Sequence, residues 1–273
     1  MSSIKTLVKD WVPPIAIRLL QSFRRKGVIF EGDYVTWEEA SAQCSGYDAK
    51  NILDKVLDAT LKVKRGEAVY ERDSVLFDKI EYVWPVLTAL MWIAAQSKGK
   101  LDVLDFGGAL GSSYFQNRTF LADLKQVRWS VVEQSHYVDA GKTHIADERL
   151  QFYKTIEHAV SAGSPNIVLL SSVLQYLPNP LIILKQLTSL NADCLIIDRT
   201  PFIKDKDLSV IKIQHVPSSI YEASYPCWFF NMDKFLEYIE SLGYRKIEIF
   251  QSLDRLSNEA IWQGIIFKKK NEL

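Results

Sequence analysis

The strongest constraint on the fold is a change of sequence pattern near residue 100. From there on, short apolar runs rich in Val and Ile alternate with segments of helical periodicity. We predict five strands, at residues 101–106, 127–133, 150–153, 166–171 and 193–198. Apolar runs of this length, separated by helices, are typical of βαβ units whose parallel sheet is buried on both faces. The pattern therefore predicts an α/β fold.

The C-terminal part of the chain predicts one more helix and two more strands. The helix begins at Asn231 and ends before Gly243, and strands follow at residues 244–251 and 260–267. No segment of helix length separates these two strands, so we expect them to pair as an antiparallel hairpin. The connection at residues 211–230, between the fifth strand and this helix, is predicted to be a long loop.

Before residue 100 the periodicity is mostly helical. Thr36 is an N-cap signal for a helix at residues 37–43, and a second helix is expected at residues 49–62. Apolar residues at three-and-four spacing predict a third helix, kinked or restarted at Pro85. We therefore divide the chain into an N-terminal helical cap, residues 1–99, and an α/β domain, residues 100–273.

Charge and cysteine content exclude several classes of protein. Thirty-three basic residues balance thirty-three acidic ones, which argues against nucleic acid as a partner. Cys44, Cys194 and Cys227 are scattered and form no C-x-x-C pair, which argues against a disulfide framework and against a zinc site. We expect a cytoplasmic protein without a metal.

The most informative segment is the first predicted strand and the turn after it. This strand ends at Asp105 and turns through Gly107, Gly108 and Gly111 into a helix. Glycines at such a turn allow positive φ and let a ligand lie against the backbone. Glu133 closes the second strand, where nucleotide-binding α/β folds place a carboxylate on the ribose hydroxyls. A nucleoside site is predicted; the alternative is a plain tight turn followed by a solvated acid.

The spacing of these glycines does not fit the G-x-G-x-x-G pattern of dinucleotide-binding folds. It resembles motif I of class I S-adenosylmethionine-dependent methyltransferases, with Ala109 at the middle glycine. Residues 104–114, 172–177, 197–201 and 220–226, with residues 32–37 upstream, are similar to a family of methyltransferases associated with bacterial surface-polysaccharide biosynthesis. The resemblance implies a Rossmann-like, seven-stranded sheet of five parallel strands plus the C-terminal hairpin.

The resemblance also implies S-adenosylmethionine as the cofactor and names the residues that bind it. Glu133 would accept hydrogen bonds from both ribose hydroxyls, and Ser171 and Ser172 would flank the sulfonium. Residues 153–155 lie where the fold contacts adenine, although an aromatic residue there also fits core packing. The implied cofactor-binding set is Asp105, Gly107, Gly108, Gly111, Glu133, Ser171 and Ser172.

Methyl transfer to a hydroxyl group requires a proton acceptor. His215 is the first candidate because it lies in the connection at residues 211–230, and the alternative is a surface histidine. Asp198 and Arg199, at the carboxyl end of the fifth strand, are further catalytic candidates, and a structural ion pair is the alternative. Aromatic residues of the connection are expected to bind the acceptor or to pack the loop: Tyr221, Tyr225 and Trp228.

The sequence thus predicts a methyltransferase acting on a hydroxyl of a saccharide or saccharide precursor, with a small-molecule or glycan acceptor. A nicotinamide-dependent sugar oxidoreductase and a non-catalytic scaffold are the alternatives, and the first of these lacks a Tyr-x-x-x-Lys element. Residues 1–27 mix apolar and basic side chains, which suits either an anionic membrane surface or packing on the helical cap. The break at Pro13 and Pro14 favours packing.

Overall fold

The computed structural model describes residues 28–44, 49–161, 163–203, 208–216, 223–254, 256 and 260–270. Residues 1–27, with the predicted membrane or cap contact, lie outside this range. The described N-terminal part contains three strands and three helices: β1 (Ile29–Tyr34), α1 (Trp37–Ala42), α2 (Ala49–Lys64), β2 (Tyr70–Arg72), β3 (Val75–Phe77) and α3 (Trp84–Gln96).

Local sequence signals explain where two of these helices begin. The Thr36 hydroxyl accepts from the Glu39 N–H at 3.2 Å, and the Glu39 carboxylate accepts from the Thr36 N–H at 3.3 Å, so a capping box starts α1 as predicted. Of the two alternatives predicted for Pro85, a kink and a restart, the structure has a helix start, because Pro85 lies in the first turn of α3. Proline fits there since first-turn N–H groups need no helical partner.

The predicted parallel sheet is confirmed. Its strands are β4 (Lys100–Phe106), β5 (Gln126–Val132), β6 (Leu150–Tyr153), β7 (Ile167–Ser171) and β8 (Cys194–Ile203). They lie in the order β6-β5-β4-β7-β8, and all four neighbouring pairs are parallel. The helices between them are α4 (Ser112–Leu121), α5 (Ser135–Ala140) with a π-helical turn (Gly141–Ile145), α6 (Ile156–Val160) and α7 (Pro180–Thr188).

The C-terminal hairpin is confirmed and joins the sheet through its second strand. The hairpin consists of β11 (Tyr244–Gln251) and β12 (Ile261–Lys269). The elements before it are β9 (Val210–Val216), β10 (Ala223–Asn231) and α8 (Met232–Ser241). β12 pairs antiparallel with both β11 and β8. The order β6-β5-β4-β7-β8-β12-β11 therefore contains the seven strands that were expected, and the full sheet has ten strands because β10, β9 and β1 continue it beside β8.

The predicted long loop at residues 211–230 is wrong, since most of it is the antiparallel pair β9 and β10. Pro226 and the aromatic run after it obscured β10. Proline is tolerated here because, along residues 223–229, β10 has β9 as its only described neighbour. β10 meets β8 only at Phe230 and Asn231, beyond the end of β7, so this branch stands above the carboxyl edge of the parallel strands.

The N-terminal elements are integrated with the sheet at two places. β1 pairs with β9, and apolar residues of α2 and α3, such as Val63 and Leu90, share one buried cluster with Val103 of β4. The domain boundary at residue 99 stays a prediction. Among the residues that the structure describes, no helix combines the length and the apolar character needed to span a bilayer.

Candidate functional site

The turn after β4 requires glycine at Gly107. Its φ is +74°, and a Cβ atom built there would lie 2.3 Å from Cγ2 of Val173. Three other residues along the carboxyl edge also have left-handed backbone angles, namely Ala109, Ser172 and Arg199, with φ of 49°, 58° and 55°. Arg199 lies within β8, which continues past the predicted end at residue 198, and it follows the last β8 residue that pairs with β7. Such strain in non-glycine residues concentrates at functional sites. The carboxyl edge of the sheet is therefore the candidate site.

Asp105 lies beneath this turn and is completely buried. Its Oδ2 accepts from the indole N–H of Trp129 at 2.9 Å, and its Oδ1 has no hydrogen-bond partner among the described residues. Burial raises the pKa of Asp105 to about 7, the Trp129 hydrogen bond opposes this, and the charge of Glu133 adds to it. A Cβ on Gly108 would lie 2.5 Å from the Asp105 carboxyl group, so the second glycine makes room for this acid.

Glu133 follows β5 and faces the same turn. Its carboxylate accepts from the backbone N–H of Gln134 at 2.5 Å and from that of Ala109. Burial raises the pKa of Glu133, and these two backbone hydrogen bonds oppose the increase. The carboxylate thus links the first two strands of the predicted nucleoside site, and it lines the larger of two cavities described below.

Ser171 and Ser172 lie at the end of β7, next to Asp198 and Arg199 of β8. The Ser172 N–H donates to the Asp198 backbone carbonyl at 3.0 Å, and its hydroxyl accepts from Nε2 of Gln175 at 3.3 Å. Oδ1 of Asp198 accepts from the Ser252 hydroxyl and from the Arg199 N–H, both at 2.7 Å. Burial raises the pKa of Asp198, and these hydrogen bonds oppose it.

Arg199 is held in a network of acidic side chains. It forms ion pairs with Asp254 and Asp73, and Arg72 lies 3.8 Å from Asp254. Burial lowers the pKa of Arg199, but the two carboxylates outweigh it and keep the guanidinium charged. The alternative weighed for Arg199, a structural ion pair, is therefore present in the structure.

A large cavity of about 890 Å³ lies between the carboxyl edge and the β9–β10 branch. Glu133 and Lys154 provide its charged groups near β5 and β6. The opposite wall is mainly apolar and aromatic and includes Trp37, Ile52, Leu177, Tyr176, Tyr225 and Pro226. Volumes of several hundred Å³ with apolar walls and a few polar groups are typical of small-molecule sites.

A smaller cavity of about 100 Å³ adjoins it on the side of β2 and α4. Side chains of both signs line it, namely Arg72, Asp73, Asp198 and Arg199. The two cavities share Gly107 and Ser172, so one cleft runs along the edge, with a mostly apolar part and a charged part.

The structure places two of the predicted acceptor-site residues away from both cavities. His215 lies on β9, separated from β8 by β10, and its Nε2 is 3.4 Å from Oε2 of Glu31. It lines neither cavity. Trp228 lines neither cavity either, because it packs behind Trp37 at a ring distance of 6.4 Å and donates to the Leu177 carbonyl at 3.0 Å.

Tyr225 lines the larger cavity, and its predicted role in binding the acceptor stays a prediction; Tyr221 lies outside the described residues. A buried Gln214 connects Tyr225 to Tyr176: the Tyr176 hydroxyl donates to Oε1 at 3.0 Å, and Nε2 donates to the Tyr225 hydroxyl at 3.2 Å. Sequence reasoning missed Gln214 and Tyr176. It also missed Tyr70, Arg72 and Asp73, which reach the cleft from the N-terminal part and carry no local motif. Trp37 lies in the segment 32–37 that carried the resemblance, but it was not assigned to the site.

No family model and no curated protein match this chain. Among solved structures it is similar to the LepI complex with SAM, with 12% identity, 81% of this chain covered and a TM-score of 0.45. This chain spans 65% of the LepI chain. It is also similar to the N-terminal domain of EvdMO1 in the presence of SAH and D-fucose, with 14% identity, 83% of this chain and 98% of that chain covered, and a TM-score of 0.47. Likeness at this level concerns the general α/β fold.

Proposed function

We propose that the protein is an S-adenosylmethionine-dependent methyltransferase. One observation carries the proposal: the cavity lined by Glu133 and the cavity of mixed charge meet at Gly107 and Ser172. A ligand with hydroxyl donors at one end and a zwitterion at the other would complement both. S-adenosylmethionine has this arrangement, with its sulfonium between the two ends.

The carboxylate that lines the larger cavity fits the nucleoside half of this ligand. A carboxylate that accepts two hydroxyl donors forms charge-assisted hydrogen bonds, and Glu133 is the acid placed to do this. Its position is fixed by the N–H groups of Gln134 and Ala109. Binding of hydroxyl donors favours the ionised acid, so affinity should fall as the pH drops through the raised pKa of Glu133.

The smaller cavity fits the amino-acid half. Arg72 and Arg199 offer positive charge to a carboxylate, and Asp73 and Asp198 offer negative charge to an ammonium group. The ion pairs of Arg199, part-buried with Asp254 and more exposed with Asp73, hold this end of the cleft in shape. We therefore propose that Asp198 and Arg199 position the carboxyl edge and do not exchange protons during catalysis.

When bound, the cofactor supplies an electrophilic methyl group on a sulfonium. The chain's own residues would align the acceptor and exclude water, which is the main requirement of an in-line displacement. The aromatic wall of the larger cavity serves this purpose, and the Tyr176–Gln214–Tyr225 hydrogen bonds fix the two phenol groups. We propose Tyr225 as an acceptor-binding residue.

For the acceptor we propose a hydroxyl of a saccharide or saccharide precursor used for a surface polysaccharide. Trp37, Tyr176 and Tyr225 in the cavity support this, because aromatic rings cover the apolar faces of sugars. The pathway follows only from the sequence resemblance. We place the enzyme in the cytoplasm because Cys44, Cys194 and Cys227 are all free thiols.

Calorimetric titration with S-adenosylhomocysteine and, separately, with NAD tests the proposal. Binding of S-adenosylhomocysteine without binding of NAD is the expected result. Binding of NAD alone would favour the oxidoreductase, and binding of neither would favour the scaffold. Transfer of isotopically labelled methyl groups to a panel of sugar nucleotides would then test the acceptor class.

A further inference from the structure

The hairpin of β2 and β3 places one acid behind the wall of the smaller cavity. Tyr70, Arg72 and Asp73 line that cavity, whereas Glu71 between them does not. Successive side chains of a strand point to opposite faces, so Glu71 is directed away from the cavity lumen. It is completely buried and reaches Ser112, the first residue of α4.

The contact between Glu71 and Ser112 is a hydrogen bond with a defined direction. The Ser112 hydroxyl donates to Oε1 of Glu71, and Oε2 of Glu71 has no hydrogen-bond partner among the described residues. Ser112 itself lines the smaller cavity. A hydroxyl has one proton, so a Ser112 that donates to Glu71 has only lone pairs left for a ligand. The pair therefore presents an acceptor, backed by negative charge, to the cavity.

Charged groups around Glu71 come from several elements. Asp73 of the hairpin and Arg199 of β8 act on it electrostatically, and the backbone N–H of Ser74 also faces the carboxyl group. β3 has no charged residue. Arg72, which lies on β2 next to Glu71, is near Asp254. Charged side chains of the adjoining helices have contacts elsewhere: Arg118 with the Val63 carbonyl, Lys62 with Asp58, and Lys64 with the His144 carbonyl.

Burial raises the pKa of Glu71 to about 7, against the effect of the Ser112 hydrogen bond, so both protonation states are populated at neutral pH. Protonated Glu71 has no negative charge and can itself donate to Ser112. The hydroxyl hydrogen of Ser112 stays bonded to its oxygen and can then point into the cavity. Ser112 therefore presents a donor to the cavity in place of an acceptor. A cationic ligand group loses both the acceptor and the charge behind it.

From this geometry we infer that Glu71 is a positioning residue that acts through Ser112 to recognise the ammonium group of the cofactor's amino-acid end, and that makes this recognition depend on pH. The inference rests on the proposed function, because it assumes that the smaller cavity holds that end. Glu71 itself touches no ligand.

Two ligands isolate the amino-acid end. S-adenosylhomocysteine carries it, whereas 5′-methylthioadenosine has the same nucleoside without it. Any effect of Glu133 on the ribose is common to both ligands and cancels in the ratio of their affinities. In the wild type, this ratio should rise by up to about tenfold from pH 6 to pH 8, as Glu71 ionises.

Glu71→Gln should give a ratio that rises less with pH than in the wild type, and Ser112→Ala should do the same by removing the acceptor. Any rise that remains in both variants comes from Asp105 beneath the turn and Asp198 in the cavity, whose pKa values are also raised. Glu133→Gln is the matched control and should weaken both ligands while the ratio keeps its pH dependence. A thermal melt of each variant verifies folding, and Ser112→Ala keeps the test decisive where Glu71→Gln does not fold.

The inference is overturned if the wild-type ratio is flat, or if Glu71→Gln and Ser112→Ala keep the wild-type dependence while both ligands bind. If the wild type binds neither ligand, the proposed function fails and the inference fails with it. The titration of the ligand's own amino group is the same for all variants and does not affect the comparison.

Discussion

The ionisation of Asp105 should make the stability of the protein depend on pH. Burial raises its pKa from an ordinary value of 3.8 to about 7 in the folded protein. For an acid with a raised pKa, the stabilising contribution of the bound proton is complete below the unfolded pKa. It is lost as the pH rises through the folded pKa. The loss should therefore fall between about pH 4 and pH 7.

Its size follows from the two pKa values. At 1.36 kcal/mol per pH unit, the difference between 3.8 and about 7 corresponds to about 4 kcal/mol. Asp105→Asn keeps an oxygen for the Trp129 indole N–H but cannot ionise. The free energy of unfolding of this variant, relative to wild type, should grow by about 2 kcal/mol between pH 5 and pH 7, and level off by about pH 8.

Urea unfolding, followed by circular dichroism at unit steps from pH 5 to pH 8, measures this difference. Asp123→Asn, at an exposed position after α4, is the matched control and should show no such growth. A difference between Asp105→Asn and wild type that stays constant across the range would refute the reasoning.

Three further changes test the site. Gly107→Ala should lower the free energy of unfolding by about 2 kcal/mol or more in urea, because of the φ of +74° and the contact with Val173. Adding Val173→Ala to this variant should restore only part of the lost stability, since the backbone strain remains. Asp254→Ala should lower stability by about 3 kcal/mol in the same assay, since it breaks the part-buried pair with Arg199; a change below about 0.5 kcal/mol would contradict this. His215→Ala should leave stability within about 0.5 kcal/mol and S-adenosylhomocysteine affinity unchanged, because among the described residues its ion-pair partner is the exposed Glu31; lost affinity in calorimetry would return it to the site.

The parallel sheet and its glycine turn could be predicted because their signals are local. Apolar runs of four to seven residues marked the strands, and Asp105, Gly107 and Glu133 marked their carboxyl ends. Since parallel strands bring these ends to one edge, the sequence order was enough to predict the edge of the sheet as the site.

The walls of the cleft could not be predicted because they depend on distant pairing. Pro226 argued against a strand at β10. Because β9 pairs with β10, β9 was then also predicted to be a loop. His215 therefore seemed to belong to a mobile acceptor loop, although it lies on a paired strand. Arg72 reaches the cleft from a three-residue strand, with Glu71 behind the wall, and this strand is too short for any periodic signal.

The affinity of Glu133→Ala for S-adenosylhomocysteine tests the central claim most directly. Glu133 is the carboxylate assigned to the ribose, and loss of a charged hydrogen-bonding group should cost roughly 1.5–3 kcal/mol, about one to two decades in affinity. Glu248→Ala, on the exposed part of β11, is the matched control and should bind as the wild type does. Calorimetry should show this one- to two-decade loss for Glu133→Ala alone. Equal affinity in wild type and Glu133→Ala would contradict the assignment of this cleft to the cofactor.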